Sequence, residues 1–241
     1  VQPGRLVTAD PDPATGFAPL PMDAPAQLRR AMAERFEAYK RAVVEPFYKE
    51  HFSRFDRQIV LVDLLHALNA GRGHFTDCQE ALATILESFR YGSNSLLARL
   101  FQPNIEKLLF AASKADHVAA NQHANLKQLL ELMIAPARRK ARFAGLSTDV
   151  LALAALRATD TVRTEHQGQQ LSCVRGRLKN EDRETVLFPG EIPGDLPEDE
   201  DWRSGRSRFR DFRPRRLVPG QKGQHLRLDQ AIEFLLGDKL Q

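Results

Sequence analysis

Lys114 and Asp116 stand one residue apart, directly after the apolar run Leu108–Ala112 and Ser113. A carboxylate fixed at the end of a buried strand can accept two hydrogen bonds from one edge of guanine, the ring N–H and the exocyclic amine. Adenine presents an acceptor at that ring position, so a site built for the bidentate bond discriminates strongly against it. The stem of a lysine two residues earlier can lie over the base plane while its ammonium bonds nearby backbone. Asp63 ends a second apolar run, Ile59–Val62. An acid at the carboxyl end of a parallel strand sits where open α/β sheets bind ligands, so Asp63 and Asp116 would face one crevice. Taken singly, each acid also fits a solvated strand-end or helix-capping aspartate, and His66 and His117 each fit an ordinary loop histidine. The pairing of the two acids, with Lys114 between them, shifts the balance towards a nucleotide site.

The elements that must position these residues follow from periodicity. Ile59–Val62 and the stretch 106–112 are short, continuous and apolar, which suits strands buried on both faces of a parallel sheet. Val150–Ala155 is a third candidate strand. The helix 74–90 buries Phe75, Cys78, Leu82, Ile85, Leu86 and Phe89, with Thr76 or Asp77 as its cap. The helix 121–141 buries Leu126, Leu129, Leu130 and Met133, and Leu64–Gly73 is a loop or short helix. Strand–helix–strand–helix–strand is a run of βαβ units, and right-handed crossovers make the sheet parallel. Ahead of it, 26–48 is helical, with Leu28, Met32, Phe36, Tyr39, Val43 and Phe47 on one face as core or partner-helix contact. Pro46 ends or kinks that helix. A short helical piece is expected over Ser95–Phe101. After Arg157, residues 161–174 and 185–188 read as β-hairpin material with polar turns at Gly168 and around Asn180–Asp182. The final segment, Leu226–Leu240, is an amphipathic helix packing on the sheet through Leu228, Ala231, Ile232, Leu235 and Leu236.

Composition narrows the class. The chain has 241 residues, 42% hydrophobic and 27% charged, enough for a packed core and too apolar for global disorder. A net charge of +4 is too weak to imply a nucleic-acid or membrane partner. Seven arginines lie between Arg203 and Arg216, with Phe209 and Phe212 among them, a mixture that can bind nucleic acid. The adjacent acids Glu198–Asp201 favour mutual neutralisation on a solvated loop, and no nucleic-acid partner is expected. Cys78 and Cys173 match no metal spacing, and their scarcity suits a reducing cytoplasm. No apolar run reaches the roughly 18–20 residues of a membrane span, and no signal peptide opens the chain. The first residue is Val1, and the opening reads as the interior of a longer protein, so a missing amino-terminal part is expected.

Ser113–Asp116 resembles the Asn/Thr-Lys-x-Asp element of GTPases. That resemblance gives Ser113, Lys114 and Asp116 the guanine base, puts Ala155 near the backbone amide that supports it, and gives Asp63 the Walker B role of helping to hold Mg²⁺, often through water. His66 could approach a hydrolytic water. Longer blocks are similar to the YcjX family of bacterial P-loop, GTPase-like stress proteins: Phe55–Asp63, Lys107–Val118, Gln122–Asn125 and Phe234–Leu240. Ser113 replaces the threonine usual there and keeps its hydroxyl. No Gly-x-x-x-x-Gly-Lys-Ser/Thr loop occurs in the sequence, and Asp63 is not followed by the Asp-x-x-Gly spacing. The resemblance implies that the phosphate-binding half lies upstream of Val1.

The expected architecture is α/β: a partial, parallel-sheet, P-loop NTPase-like three-layer core with an added N-terminal helical segment and a C-terminal hairpin and loop region. Residues 1–25 would be linker, 26–160 the core with its helical segments, 161–225 an insertion, and 226–241 a helix packed on the core. The expected function is the carboxy-terminal portion of a guanine-nucleotide-binding NTPase, with GTP or GDP and Mg²⁺ as ligands. The complete protein would hydrolyse GTP, and this portion alone would not. The competing reading is a non-enzymatic regulatory or scaffolding module on a degenerate NTPase fold.

Overall fold

The computed structural model describes residues 16–50, 55–88, 105–143, 145–205, 208–220 and 224–240. The chain divides into two compact units, Val1–Phe55 with Gly92–Asn104, and Asp56–Tyr91 with Ile105–Gln241.

The first unit contains helix α1 (Ala26–Tyr39), a π-helical turn (Lys40–Val44) and helix α2 (Glu45–Glu50). Pro46 was expected to end or kink the helix, yet the helical path runs on to Glu50. A proline lacks an N–H and crowds the preceding turn, and a π-turn just upstream loosens the hydrogen-bond ladder where it would clash. Glu45 N–H accordingly bonds Lys40 O, one residue further back than in an α-helix. The apolar face does not form core, because α1 buries no residue. Phe36 and Tyr39 pack on Phe17, with ring centroids 4.8 and 5.2 Å apart.

The second unit carries the site. Strands β1 (Arg57–Val62), β2 (Lys107–Ala112) and β3 (Ser147–Ala152) form a parallel sheet in the order β1-β2-β3. The third strand thus begins and ends three residues before the stretch that sequence indicated. Register aligns the carboxyl ends: Val62 pairs with Ala112, and Ala112 with Ala152. Helices α3 (Leu64–Ala70), α4 (Arg72–Ser88) and α5 (His123–Phe143) contribute to the main core with Leu108, Phe110 and Ala112. The alternate residues Leu109 and Ala111 face helix α7 (Leu228–Leu236) through Ala231, Phe234 and Leu235. Because side chains alternate across a strand, these are opposite faces, and the sheet is the middle of three layers. Helix α4 starts after Gly71, earlier than the expected caps Thr76 and Asp77, because Gly71 takes a φ of 94° open to glycine. The expected helix over Ser95–Phe101 lies outside the described residues.

Past the parallel sheet, β4 (Thr159–His166), β5 (Gln169–Arg177) and β6 (Glu184–Leu187) form an antiparallel sheet. The β4–β5 turn places Gln167 and Gly168 at φ of 51° and 76°. Helix α6 (Asp199–Ser204) begins in a reciprocal cap between Glu198 and Asp201. Two of the arginines expected to be neutralised by this acidic run pair with other acids: Arg213 with Asp182 at 3.4 Å, and Arg215 with Asp160.

Candidate functional site

The aligned strand ends bring Asp63, Ser113–Asp116 and Leu153–Ala155 to one rim. Ser113 N–H donates to Val62 O at 2.9 Å, and its hydroxyl donates to the same oxygen at 3.3 Å. Ala115 N–H donates to Leu153 O at 3.1 Å. The loop after β2 is therefore tied to both neighbouring strands. Lys114 takes a left-handed backbone conformation, φ 57° and ψ 31°, uncommon for a residue with a side chain. A tight helical turn, Ala115–His117, follows and turns Asp116 inward.

Asp116 is only 4% exposed. Its Oδ2 accepts from the N–H groups of Ala158 and Thr159, the latter at 3.1 Å. The Thr159 hydroxyl donates to the Asp116 carbonyl, so the start of β4 holds this residue from side chain and backbone alike. The other carboxylate oxygen, Oδ1, is buried and has no hydrogen-bond partner among the described residues. Asp116 lines a cavity of about 550 Å³ together with Ser113, Lys114, His117, Ala155 and the segment Asp211–Pro214. That volume lies in the range of small-molecule sites.

Lys114 Nζ lies 2.8 Å from Asp63 Oδ2 and 3.0 Å from Asp211 Oδ1. Burial works against its charge, but the bonds it donates to Asp63 and Asp211 outweigh it and raise its pKa. The same bond from Lys114 holds Asp211 below the usual carboxylate range. His117 is pushed down by burial, against the opposing pull of Asp116, and its ring meets Phe212 edge-on at 5.3 Å.

Of the residues expected at the site, Ser113, Lys114, Asp116 and Ala155 line one cavity. Asp63 reaches it only through Lys114. Its other oxygen, Oδ1, accepts from His66 N–H at 3.0 Å, which makes Asp63 the cap of α3. Both Asp63 oxygens are thus engaged, and among the described residues no cluster of three or more His, Cys, Asp or Glu could hold a metal. These residues do not by themselves make a Mg²⁺ site. His66 is not among the cavity residues, and its ring sits 5.2 Å from that of His74.

Sequence reasoning missed Asp211, Phe212 and the amides of Ala158 and Thr159. Asp211 and Phe212 lie in a run read for its arginines, and no periodicity marks them.

Residues 1–240 match the YcjX-like family. The chain belongs to that family. It is 42% identical over 254 residues to the protein named Ras-like GTPase YcjX of Escherichia coli (strain K12), a match that covers 100% of this chain and 55% of that protein. It is 41% identical over 214 residues to the protein of the same name from Shewanella oneidensis, covering 87% of this chain and 44% of that one. The chain thus spans about half the length of the curated relatives it matches. In this YcjX-like chain, no helix of the described residues is long and apolar enough to cross a membrane.

Proposed function

We propose that this chain carries the base-recognition part of a guanine-nucleotide-binding GTPase. One observation supports the reading above the others: Asp116 is buried with one oxygen held by two backbone amides and the other without a partner among the described residues, and it lines a cavity. A buried acceptor left unsatisfied costs free energy, and it is explained where a ligand completes it. Guanine's N–H edge supplies the donors such an oxygen lacks. Lys114 and Ser113 flank it on the same loop, and Ala155 lines the cavity. The relatives' names agree with guanine nucleotide as the ligand.

Hydrolysis of GTP and retention of Mg²⁺ belong, in this proposal, to the complete protein, as does a role in stress responses. Asp63 enters as the residue that anchors Lys114. A non-enzymatic module is favoured by one feature, the ion pair between Lys114 and Asp63, which engages both groups within the chain. Titration with fluorescent GDP and ADP, in Mg²⁺, on this chain and on the complete protein separates the two. The GTPase reading expects the complete protein to bind GDP in preference to ADP. Equal or absent binding there would leave the scaffolding reading.

A further inference from the structure

Residues Phe209–Pro214 form a strap along the rim. It has no strand or helix beyond one bridge between Leu178 and Phe212, yet it is held at several points. The Asn69 side chain, at the end of α3, donates to Phe209 O and accepts from Phe209 N–H, both at 2.8 Å. Lys179 N–H donates to Asp211 O at 2.9 Å, and Arg213 N–H to Arg177 O at 2.7 Å. Phe209 and Phe212 are buried, at 6% and 4% exposed. The backbone carrying Asp211 is therefore fixed on both sides.

That placement sets the Asp211 carboxylate against both flanks of Asp116. Its Oδ1 lies 3.0 Å from Lys114 Nζ and 4.0 Å from His117 Nδ1. Lys114 needs such support, because a left-handed non-glycine residue persists only where its surroundings over-determine it. Asp63 supplies one hold on its ammonium, and Asp211 supplies a second from far along the chain.

We propose that Asp211 is a positioning residue for the base site: acting through Lys114, it keeps the Ser113–His117 loop in the conformation that presents Asp116 to a guanine base. This rests on the base-site reading above. The competing account is an ordinary surface ion pair, which contributes little.

The test is a cycle on the complete protein with fluorescent GDP and ADP, using Asp211→Asn, Asp211→Glu, Lys114→Met and the double variant Asp211→Asn with Lys114→Met. Asp211→Asn is expected to lower GDP affinity about tenfold, the size of one charge-assisted hydrogen bond. In the Lys114→Met background the same change should cost nothing further, and Asp211→Glu should recover most of the loss. Wild-type GDP affinity in Asp211→Asn, or an equal loss with and without Lys114, would overturn the role of Asp211 and leave the base-site reading standing. A wild-type protein that does not prefer GDP over ADP would overturn the base-site reading and this role with it.

Discussion

At the residue scale, Asp116 shows why one side chain can be both structural and functional. Its two oxygens are treated differently: Oδ2 stitches the loop after β2 to the start of β4, and Oδ1, buried and without a hydrogen-bond partner among the described residues, is the atom the proposed function assigns to guanine. His123 opens α5 and is buried. Its Nδ1 is 3.1 Å from Arg227, whose guanidinium also donates to Ala152 O at the end of β3. Burial, then the positive charge of Arg227, lowers the His123 pKa, so the ring stays neutral in the fold. A histidine whose folded pKa lies below its unfolded value contributes stability that is complete above the unfolded pKa, about 6.5, and is lost as pH falls through it. Acidification from pH 7 towards 5 should therefore weaken the fold. His123→Gln, which can still accept from Arg227 and does not titrate, should flatten that part of the dependence. Chemical denaturation across the pH series, with the His123 ring followed by NMR, checks both statements; a ring that titrates above its ordinary value would contradict them.

At the scale of elements, the rim is made where three strand ends meet segments from elsewhere. The bridge between Ala154 and Leu226 and the bond from Arg157 N–H to Gln224 O pin the loop after β3 to the approach of α7. On the other side the antiparallel sheet closes tightly on the strap. A Cβ at Gly176 would stand 2.8 Å from Thr159 Cγ2 and 3.0 Å from both Ala158 O and Phe212 Cδ1. Gly176→Ala presses on Ala158 and Thr159, whose amides hold Asp116, and on the Phe212 ring of the strap. It should destabilise the protein by about 1–3 kcal/mol, as overpacking does, and reduce guanine-nucleotide affinity as well. Gly73→Ala, with open space around its Cβ, is the control. Thermal melts beside nucleotide titrations measure the pair, and equal behaviour of the two variants would contradict the close approach. Elements differ in how far sequence shows them. Leu108–Ala112 is legible because a strand buried on both faces has to be apolar throughout. Ile59–Val62 does form a strand, but not the doubly buried one expected, since Ile59 and Leu61 are 41% and 61% exposed. The strap is not legible, since side-chain amides and single backbone bonds hold it, and these leave no period in the sequence. The run to Glu50 past Pro46 escaped notice for a similar reason: the relief is a backbone turn at Lys40–Val44, and composition does not announce it.

For the whole molecule, the amino ends of the same sheet are closed by charge. Arg57, at the start of β1, donates to Leu235 O at 3.0 Å and pairs with Glu106 and with Asp238, the latter at 2.7 Å, while Lys107 reaches Asp238 at 2.8 Å. The C-terminal turn is thus fastened to the sheet at the end opposite the cavity, and α7 is held at both of its ends. Asp238 sits below its usual pKa chiefly through the Lys107 bond. Asp238→Asn should lower the melting temperature, and by less in high salt than in low salt because these charges are partly exposed. A melting temperature unchanged at low salt would deny the clamp a part in stability. The blocks Phe55–Asp63 and Phe234–Leu240, which carried the family resemblance, prove to be the two sides of this contact. Their ion pairs were not legible in the sequence, since charged side chains carry no address.

The account stands on Asp116 reading guanine, and one substitution addresses that directly. In Asp116→Asn the side-chain carbonyl can keep the bonds from Ala158 and Thr159, and the amide NH₂ then takes the place of the free oxygen. A donor there repels guanine's N–H edge and suits the extra carbonyl of xanthine. Competitive titration of the wild-type and Asp116→Asn complete proteins with GDP and XDP is the decisive measurement. The account predicts a loss of at least about tenfold for GDP together with a gain for XDP in the variant. An unchanged preference for GDP would contradict it and remove Asp116 from the base site.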